Sequence, residues 1–445
     1  MSTSRSITVK ALARVEGEGA LRIRVEGDRI EIAEFNIYEP PRFFEKILVG
    51  RSLREVPDIV ARICGICPVA YQMTACHALE HALEIEPPEG TRTLRRLLYC
   101  GEWIQSHALH VHLLHAPDFL GYESGFTMAV DHPALVEAGF RLKGLGNRIM
   151  EVVGGRAVHP VSVAVGGFHV WPDVDAVRGL VPDLVWGLDV ALDLVDRVSG
   201  FDFPPFERPH DFVALRHEAE YPFNEGRIVS SDGLDISVDA FPDHFEERQV
   251  SWSTALHAVR IPSGRPYSVG PLARLNLCRD RLPPRAALAA ARCEWPMLNP
   301  FRSIIARAIE IAAACEDALE LARAWTRPQT DSTASFSPRA AVGSHATEAP
   351  RGLLWHRYSI DADGLVSGAA IIPPTSQNQA RIEADLRAFV PQVLPLDDAA
   401  ATLRCEQLIR SYDPCISCAT HFLRLSIDRK EASVIPPSPS PPRRG

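Results

Sequence analysis

Two cysteine pairs of the same short spacing stand at opposite ends of the chain: Cys64 and Cys67 in RICGIC, and Cys415 and Cys418 in DPCISC. A pair three residues apart, on a helix or at its start, turns both sulfurs to one side. That suits a metal better than a disulfide where thiols stay reduced. One such pair alone reads equally well as two buried thiols packing as small apolar groups. Two pairs can supply four thiolates, enough to close a tetrahedral zinc or iron site and to tie the two ends of the fold together. Ionisable groups crowd around them: Arg62 precedes the first pair, Asp413 and Pro414 precede the second, and His421 follows Cys418 by three residues. A closed structural site needs no acid, base or guanidinium beside it, whereas a catalytic one does.

The other metal-ligating residue types carry less. SHALHVHLLH offers His107, His110, His112 and His115, yet no carboxylate or cysteine completes a pair locally. These histidines are expected to pack and to hydrogen-bond near the site. Cys76, Cys100, Cys278, Cys293, Cys315 and Cys405 read as packing thiols, because none has the spacing of an iron–sulfur cluster. No G-x-G-x-x-G opens a helix after a strand, and GLGNR at 144–148 lies within a helical stretch, so a dinucleotide would sit on another chain.

The elements that must position these residues follow from composition and periodicity. A chain of 445 residues, 46% of them hydrophobic, can bury a large core. Ten cysteines are too few for a disulfide-built secreted protein, and MSTSRSITVK holds no apolar leader, so reduced thiols and a cytoplasmic location are expected. Arg307, Glu310, Glu316 and Asp317 interrupt the longest apolar stretch, so no membrane insertion is expected. A net charge of -9 argues against nucleic acid as a partner. Residues 7–38 alternate as strands do about a turn at EGDR, which predicts an N-terminal hairpin or small sheet. Helices are predicted over 58–84, with the first cysteine pair inside, and over 91–115, 134–152, 174–199, 297–325 and 377–389. Between 203 and 275, Pro, Gly, Asp and aromatics predict short strands and loops. The fold class is mainly α with smaller β elements, α+β. The last ten residues, PPSPSPPRRG, are low in complexity and expected to be disordered.

RICGIC together with DPCISCATH resembles the paired signatures of the large, catalytic subunit of nickel–iron hydrogenases. RVEGEG at 14–19, FFEKILVGR at 43–51, SHALHVHLLHAPD at 106–118, VGPLAR at 269–274, EAPRG at 348–352 and PPTSQN at 373–378 fall in that family's order. The resemblance covers roughly residues 7–421 and implies the family's large-subunit fold, with 1–421 as a single catalytic domain. It implies reversible oxidation of H2 to protons and electrons at a buried nickel and iron, the iron carrying CO and cyanide. By position, Cys64 and Cys415 would bind nickel terminally, and Cys67 and Cys418 would bridge nickel to iron; soft thiolates suit both metals. The family's proton-relaying carboxylate matches Glu16. Arg351 would lie over the open metal position with Asp118 and Asp413 around it. Thr375 would donate to a cyanide, and the Pro373–Pro374 turn would present backbone to the iron. Glu45 and His421, with the carbonyl near Ile371, match a magnesium-type site.

One departure concerns Tyr71, four residues after Cys67, where many relatives have histidine. A phenol can donate a hydrogen bond towards a sulfur but cannot carry imidazolium's positive charge. This form is similar to the soluble bidirectional branch that exchanges electrons with nicotinamide cofactors; a branch using another carrier, or one held to the membrane through another subunit, is the alternative. With no second redox centre in the chain, the resemblance implies an iron–sulfur small subunit and, in that branch, a flavin subunit binding NAD(P). Residues 422–445 follow His421, and their five basic and two acidic residues give a formal +3. In the family such an extension is removed after nickel is in place, which implies nickel-insertion factors and a maturation endopeptidase. Two other readings stand beside this one: a non-catalytic subunit like the quinone-site subunit of respiratory complexes, which shares the ancestry but lacks the full set of cysteines, and a structural protein with zinc on four cysteines.

Overall fold

In the computed structural model, residues 4–27 and 29–420 are described; His421 and the extension 422–445 lie outside them. The N-terminal sheet is antiparallel, with β1 (Ser4–Val9), β2 (Gly19–Glu26) and β3 (Arg29–Ile37) in sequence order. Leu21, Ile23 and Val25 of β2 are buried while Arg22, Arg24 and Glu26 face water, which is the two-residue period of a strand covered on one side. The cover comes from the other end of the chain. Ile382, Leu386, Phe389 and Val390, with Leu408 and Ile409, complete that core.

Short helices α1 (Phe44–Leu48) and α2 (Val56–Ala61) lead to α3 (Pro68–Leu83) and α4 (Thr91–Leu109). The helix predicted over 58–84 is therefore two helices, and the first cysteine pair lies in the break between them. Proline is the reason: Pro68 has no N–H to donate backwards, and it disfavours helical geometry at the residue before it, so Cys67 sits at φ −119°, ψ 43°. The stretch 91–115 is helical throughout, but it widens into a π-helix over His110–His115 before resuming at Ala116–Leu120. Such insertions re-aim the side chains that follow and recur at functional sites.

The helical body adds α5 (Pro133–Gly154), α6 (Val181–Ser199) and α7 (Ser303–Ala324); α5 and α7 pack against α4, which is buried on nearly all sides, and α6 packs on α7. Close approach between α4 and α5 depends on glycine: a Cβ at Gly146 would stand 2.4 Å from the Gly101 carbonyl oxygen. The prediction over 174–199 is cut by Pro182, which sits in the first turn of α6, leaving Val174–Arg178 as a separate turn. The prediction over 297–325 begins late, at Ser303, after a 3-10 turn at Pro300–Arg302. Between 203 and 275 the chain forms short strands and loops, as expected, with strands at Val213–Arg216, Arg227–Ser230, Asp235–Ile236, Phe245–Arg248 and His257–Arg260.

A second antiparallel sheet contains β4 (Ala341–Ala349), β5 (Gly352–Ile360) and β6 (Val366–Ile372). Ala349 pairs with Gly352, so Pro350 and Arg351 form the tip of a two-residue hairpin. The described residues end in α8 (Pro374–Val393), α9 (Asp398–Ser411) and a last turn at Ile416–Ala419. Among the described residues, no helix is long and apolar enough to cross a membrane.

Candidate metal centre

Four chain segments meet at one interior point. Cys64 lies in the break between α2 and α3, and Cys67 immediately precedes α3. From the far end, Cys415 opens the last turn and Cys418 lies within it. The segment 14–19 holds the second pair in place: the Ile416 N–H donates to the Glu16 carbonyl at 3.0 Å, and Glu16 and Cys415 form an isolated parallel bridge. The four Sγ atoms lie within 4.8 Å of one another, with Cys64 and Cys415 3.5 Å apart. All four are free thiols, none more than 4% exposed.

Electrostatics explain why such a cluster needs a cation. Burial pushes the Cys67, Cys415 and Cys418 thiols up. Cys64 alone goes down, because hydrogen bonds from the other three thiols and the Arg351 charge outweigh its own desolvation. The Ile66 and Cys67 N–H groups also point at its sulfur, at 3.4 and 3.2 Å. Four buried thiolates this close to one another require positive charge among them. A soft metal centre fits this donor set.

Arg351 reaches the site from its hairpin tip. Its Nε donates to the Asp413 carbonyl at 2.8 Å and its Nη2 to Asp413 Oδ1 at 3.1 Å, while Nη1 has no hydrogen-bond partner among the described residues. Desolvation works against its charge, but Asp413 and the thiols of Cys415, Cys67 and Cys64 hold its pKa up. The hairpin is anchored by Arg274, which donates to Glu348 Oε2 and to the carbonyls of Ala349 and Pro350, each at 2.9 Å. Glu310 pairs with that guanidinium on the other side, at 2.7 and 2.8 Å. Burial pushes the Glu348 carboxyl up to about 7, against the pull of Arg274.

The remaining expected site residues fall as follows. Glu16 is partly buried, and its Oε2 accepts the Ser417 N–H at 3.1 Å. Thr375 Oγ1 accepts the Cys415 N–H at 3.0 Å, next to Pro374, the first residue of α8. Asp118 is gripped by Arg14 at 2.5 Å and by two nitrogens of Arg410 at 2.8 Å, rather than by Arg351. Glu45 Oε1 accepts the Ile371 N–H at 2.7 Å, which brings those two positions together. His421 lies outside the described residues. Tyr71 is buried, its hydroxyl has no hydrogen-bond partner among the described residues, and burial, then the charges of the four cysteines, push its pKa up. The four histidines find local company: His107 Nε2 stands 3.0 Å from Glu310, His110 Nε2 bonds the Arg410 carbonyl, His112 Nδ1 the Leu135 carbonyl, and His115 Nε2 the Ser411 hydroxyl.

Sequence reasoning missed Glu102 and Arg42. Glu102 accepts the Val69 and Ala70 N–H groups at 2.6 and 3.1 Å, filling the positive end of α3 beside Cys67, and burial pushes its pKa well up. A carboxylate inside the apolar run LLYCGEWI was the available signal. Arg42 gave none.

Soft donors closing on one buried point from both ends of a chain, beside a fixed guanidinium and carboxylates, define a thiolate metalloenzyme of redox type. The profile of the nickel-dependent hydrogenases matches residues 42–134 and 256–421, and the chain belongs to that family. It is 33% identical to sulfhydrogenase 1 subunit alpha of Pyrococcus furiosus, across 94% of this chain and 98% of that one. Sulfhydrogenase 2 subunit alpha of the same organism is 31% identical across 94% and 100%. Among solved structures, an NAD+-reducing nickel–iron hydrogenase in its H2-reduced state matches with a TM-score of 0.84 and 27% identity, covering 95% of this chain and 100% of the other. A nickel–iron–selenium hydrogenase of Dm. baculatum shares the fold, with a TM-score of 0.76 at 21% identity over 94% and 100%. The α+β class and the hydrogenase large-subunit fold both hold, and this is the catalytic subunit of an oxidoreductase acting on H2 through nickel and iron. The zinc and quinone-site readings give way to it.

Proposed function

We propose that Cys64, Cys67, Cys415 and Cys418 would hold a nickel and an iron carrying CO and cyanide, Cys64 and Cys415 serving nickel alone and Cys67 and Cys418 both metals, and that Glu16 moves the proton. When bound, the metal pair supplies the Lewis-acid and redox chemistry by which H2 separates into two protons and two electrons. The observation carrying this reading is the convergence of the four sulfurs within 4.8 Å. The backbone bridge from Glu16 to Cys415 and the bond from the Ser417 N–H to the Glu16 carboxylate support a base next to the second cysteine pair, where it would take a proton from the thiolate side. Arg351, held by Asp413, fixes a positive charge over the open metal position. Asp118 holds Arg410 and Arg14. Thr375 and the Pro373–Pro374 turn would border the diatomic ligands on the iron.

Glu45, the Ile371 carbonyl and His421 would hold a magnesium-type ion with retained waters. Residues 1–421 act as the catalytic unit, and 422–445 are removed by a maturation endopeptidase after nickel-insertion factors have loaded the site. Electrons leave through an iron–sulfur small subunit. The likeness to an NAD+-reducing enzyme supports NAD(P) as the acceptor beyond it; a flavin subunit would carry the electrons there, in the cytoplasm.

Elemental analysis and infrared spectroscopy of the purified complex test this reading. Nickel and iron in near-equal amounts, with metal-bound CO and cyanide stretches, are expected. Zinc alone, or no diatomic stretches in active enzyme, overturns it.

A further inference from the structure

We propose that Arg42 is the clasp that holds the two cysteine segments against each other, a positioning residue for the metal centre. Its Nη2 donates at 2.7 Å to the carbonyl of Ile63, the residue before Cys64. The same nitrogen donates to the carbonyl of Ser417, between Cys415 and Cys418. The Arg42 backbone N–H adds a bond to the Thr420 carbonyl at 2.9 Å, so main chain and side chain grip the same C-terminal segment. A guanidinium suits the task because the two N–H groups of Nη2 are held in a fixed plane, one for each carbonyl, whereas an ammonium on a flexible stem must give up more freedom to hold the same pair.

The local backbone is bent to deliver it. Phe43 sits in the left-handed region, at φ 53°, which a bulky residue adopts only where its surroundings enforce it. That turn starts α1, whose Glu45 takes the Ile371 N–H, while Arg42 points back to the cysteine segments. Phe43 itself is 46% exposed. The bend serves its neighbours on both sides.

The clasp rests on the metal-site reading for one of its readouts, nickel retention, and not for the other, amide exchange. In the intact complex, Arg42→Ala should speed hydrogen exchange of the amides of 415–418 and the loss of nickel to a chelator by about tenfold each, the worth of one charge-assisted hydrogen bond. Exchange in α4 and α7 should stay unchanged. Guanidinium ion added to the Arg42→Ala complex should restore slow exchange, and Arg42→Lys should fall between the two. Wild-type exchange in 415–418 overturns the proposal, as does acceleration spread equally through α4 and α7. If Arg42→Ala does not accumulate, Arg42→Lys decides: exchange indistinguishable from wild type sinks the clasp. Faster exchange with no nickel bound in either protein keeps the clasp and removes the metal reading.

Discussion

Cys64 and Cys415 are 351 positions apart in the chain and 3.5 Å apart at sulfur. No local element spans that separation. The N-terminal sheet shares its core with α8 and α9, so the meeting of the two thiols rests on contacts between both ends of the chain.

Replacing Cys415 by Ser removes a soft donor and leaves a hydroxyl that stays protonated at neutral pH. The variant should lose its nickel, with H2 oxidation falling below detection, while far-ultraviolet circular dichroism stays as in the parent. Nickel at wild-type content would show that the sulfur is dispensable.

Glu16→Gln keeps the acceptor oxygen for the Ser417 N–H and takes away the base. General-base contributions are typically about 100-fold or more. Hydrogen–deuterium exchange of H2 catalysed by the complex should slow by at least about 100-fold, with nickel and iron unchanged. Loss of the metals instead would make Glu16 a purely structural residue.

Arg351→Lys preserves the charge and loses the fork that holds both the carbonyl and the carboxylate of Asp413. Turnover should drop by about tenfold to 100-fold with metal content intact, since a point charge is not held in the same place. Unchanged turnover, measured with an artificial electron acceptor, would count against a role in fixing charge over the site.

A pH effect should arise away from the metals, at Glu383. Burial pushes its carboxyl up to about 7, even though the Phe35 N–H and the Trp252 indole donate to it at 2.9 and 2.8 Å. A carboxyl whose folded pKa lies above its unfolded one binds more protons in the native state, so stability falls as pH rises from about 4.5 to about 7. Glu383→Gln retains an oxygen for both donors and removes the charge. Urea unfolding at pH 8 should show the variant more stable, by up to about 3 kcal/mol, with the gain vanishing near pH 4. An equal effect at both pH values would refute this.

How far the residues alone foretold the molecule depends on how local each cause is. The alternation of Leu21, Ile23 and Val25 announces a half-covered strand because a two-residue period needs nothing beyond the strand itself. The four cysteines were legible for a similar reason, as paired spacing is a local fact. The placement of the first pair inside a helix was wrong because the period over 58–84 is helical on both sides of Pro68, and only the proline's missing N–H marks the break. The hairpin 341–360 escaped detection because its strands are buried along most of their length and lose alternation; the burial comes from distant packing. The clasping guanidinium of Arg42 acts on carbonyls far along the chain, and no neighbour in sequence hints at them.

The bridge between Glu16 and Cys415 also sets a timetable. Ribosomes add about 5 to 20 residues per second, so an interval of roughly 20 to 70 s separates the emergence of Cys64 from that of Cys415, 351 residues later. Throughout that interval the helical body can condense around half a binding site. The last-made cysteines then complete the donor set, so a metal that needs all four sulfurs is seated only when the chain is nearly finished.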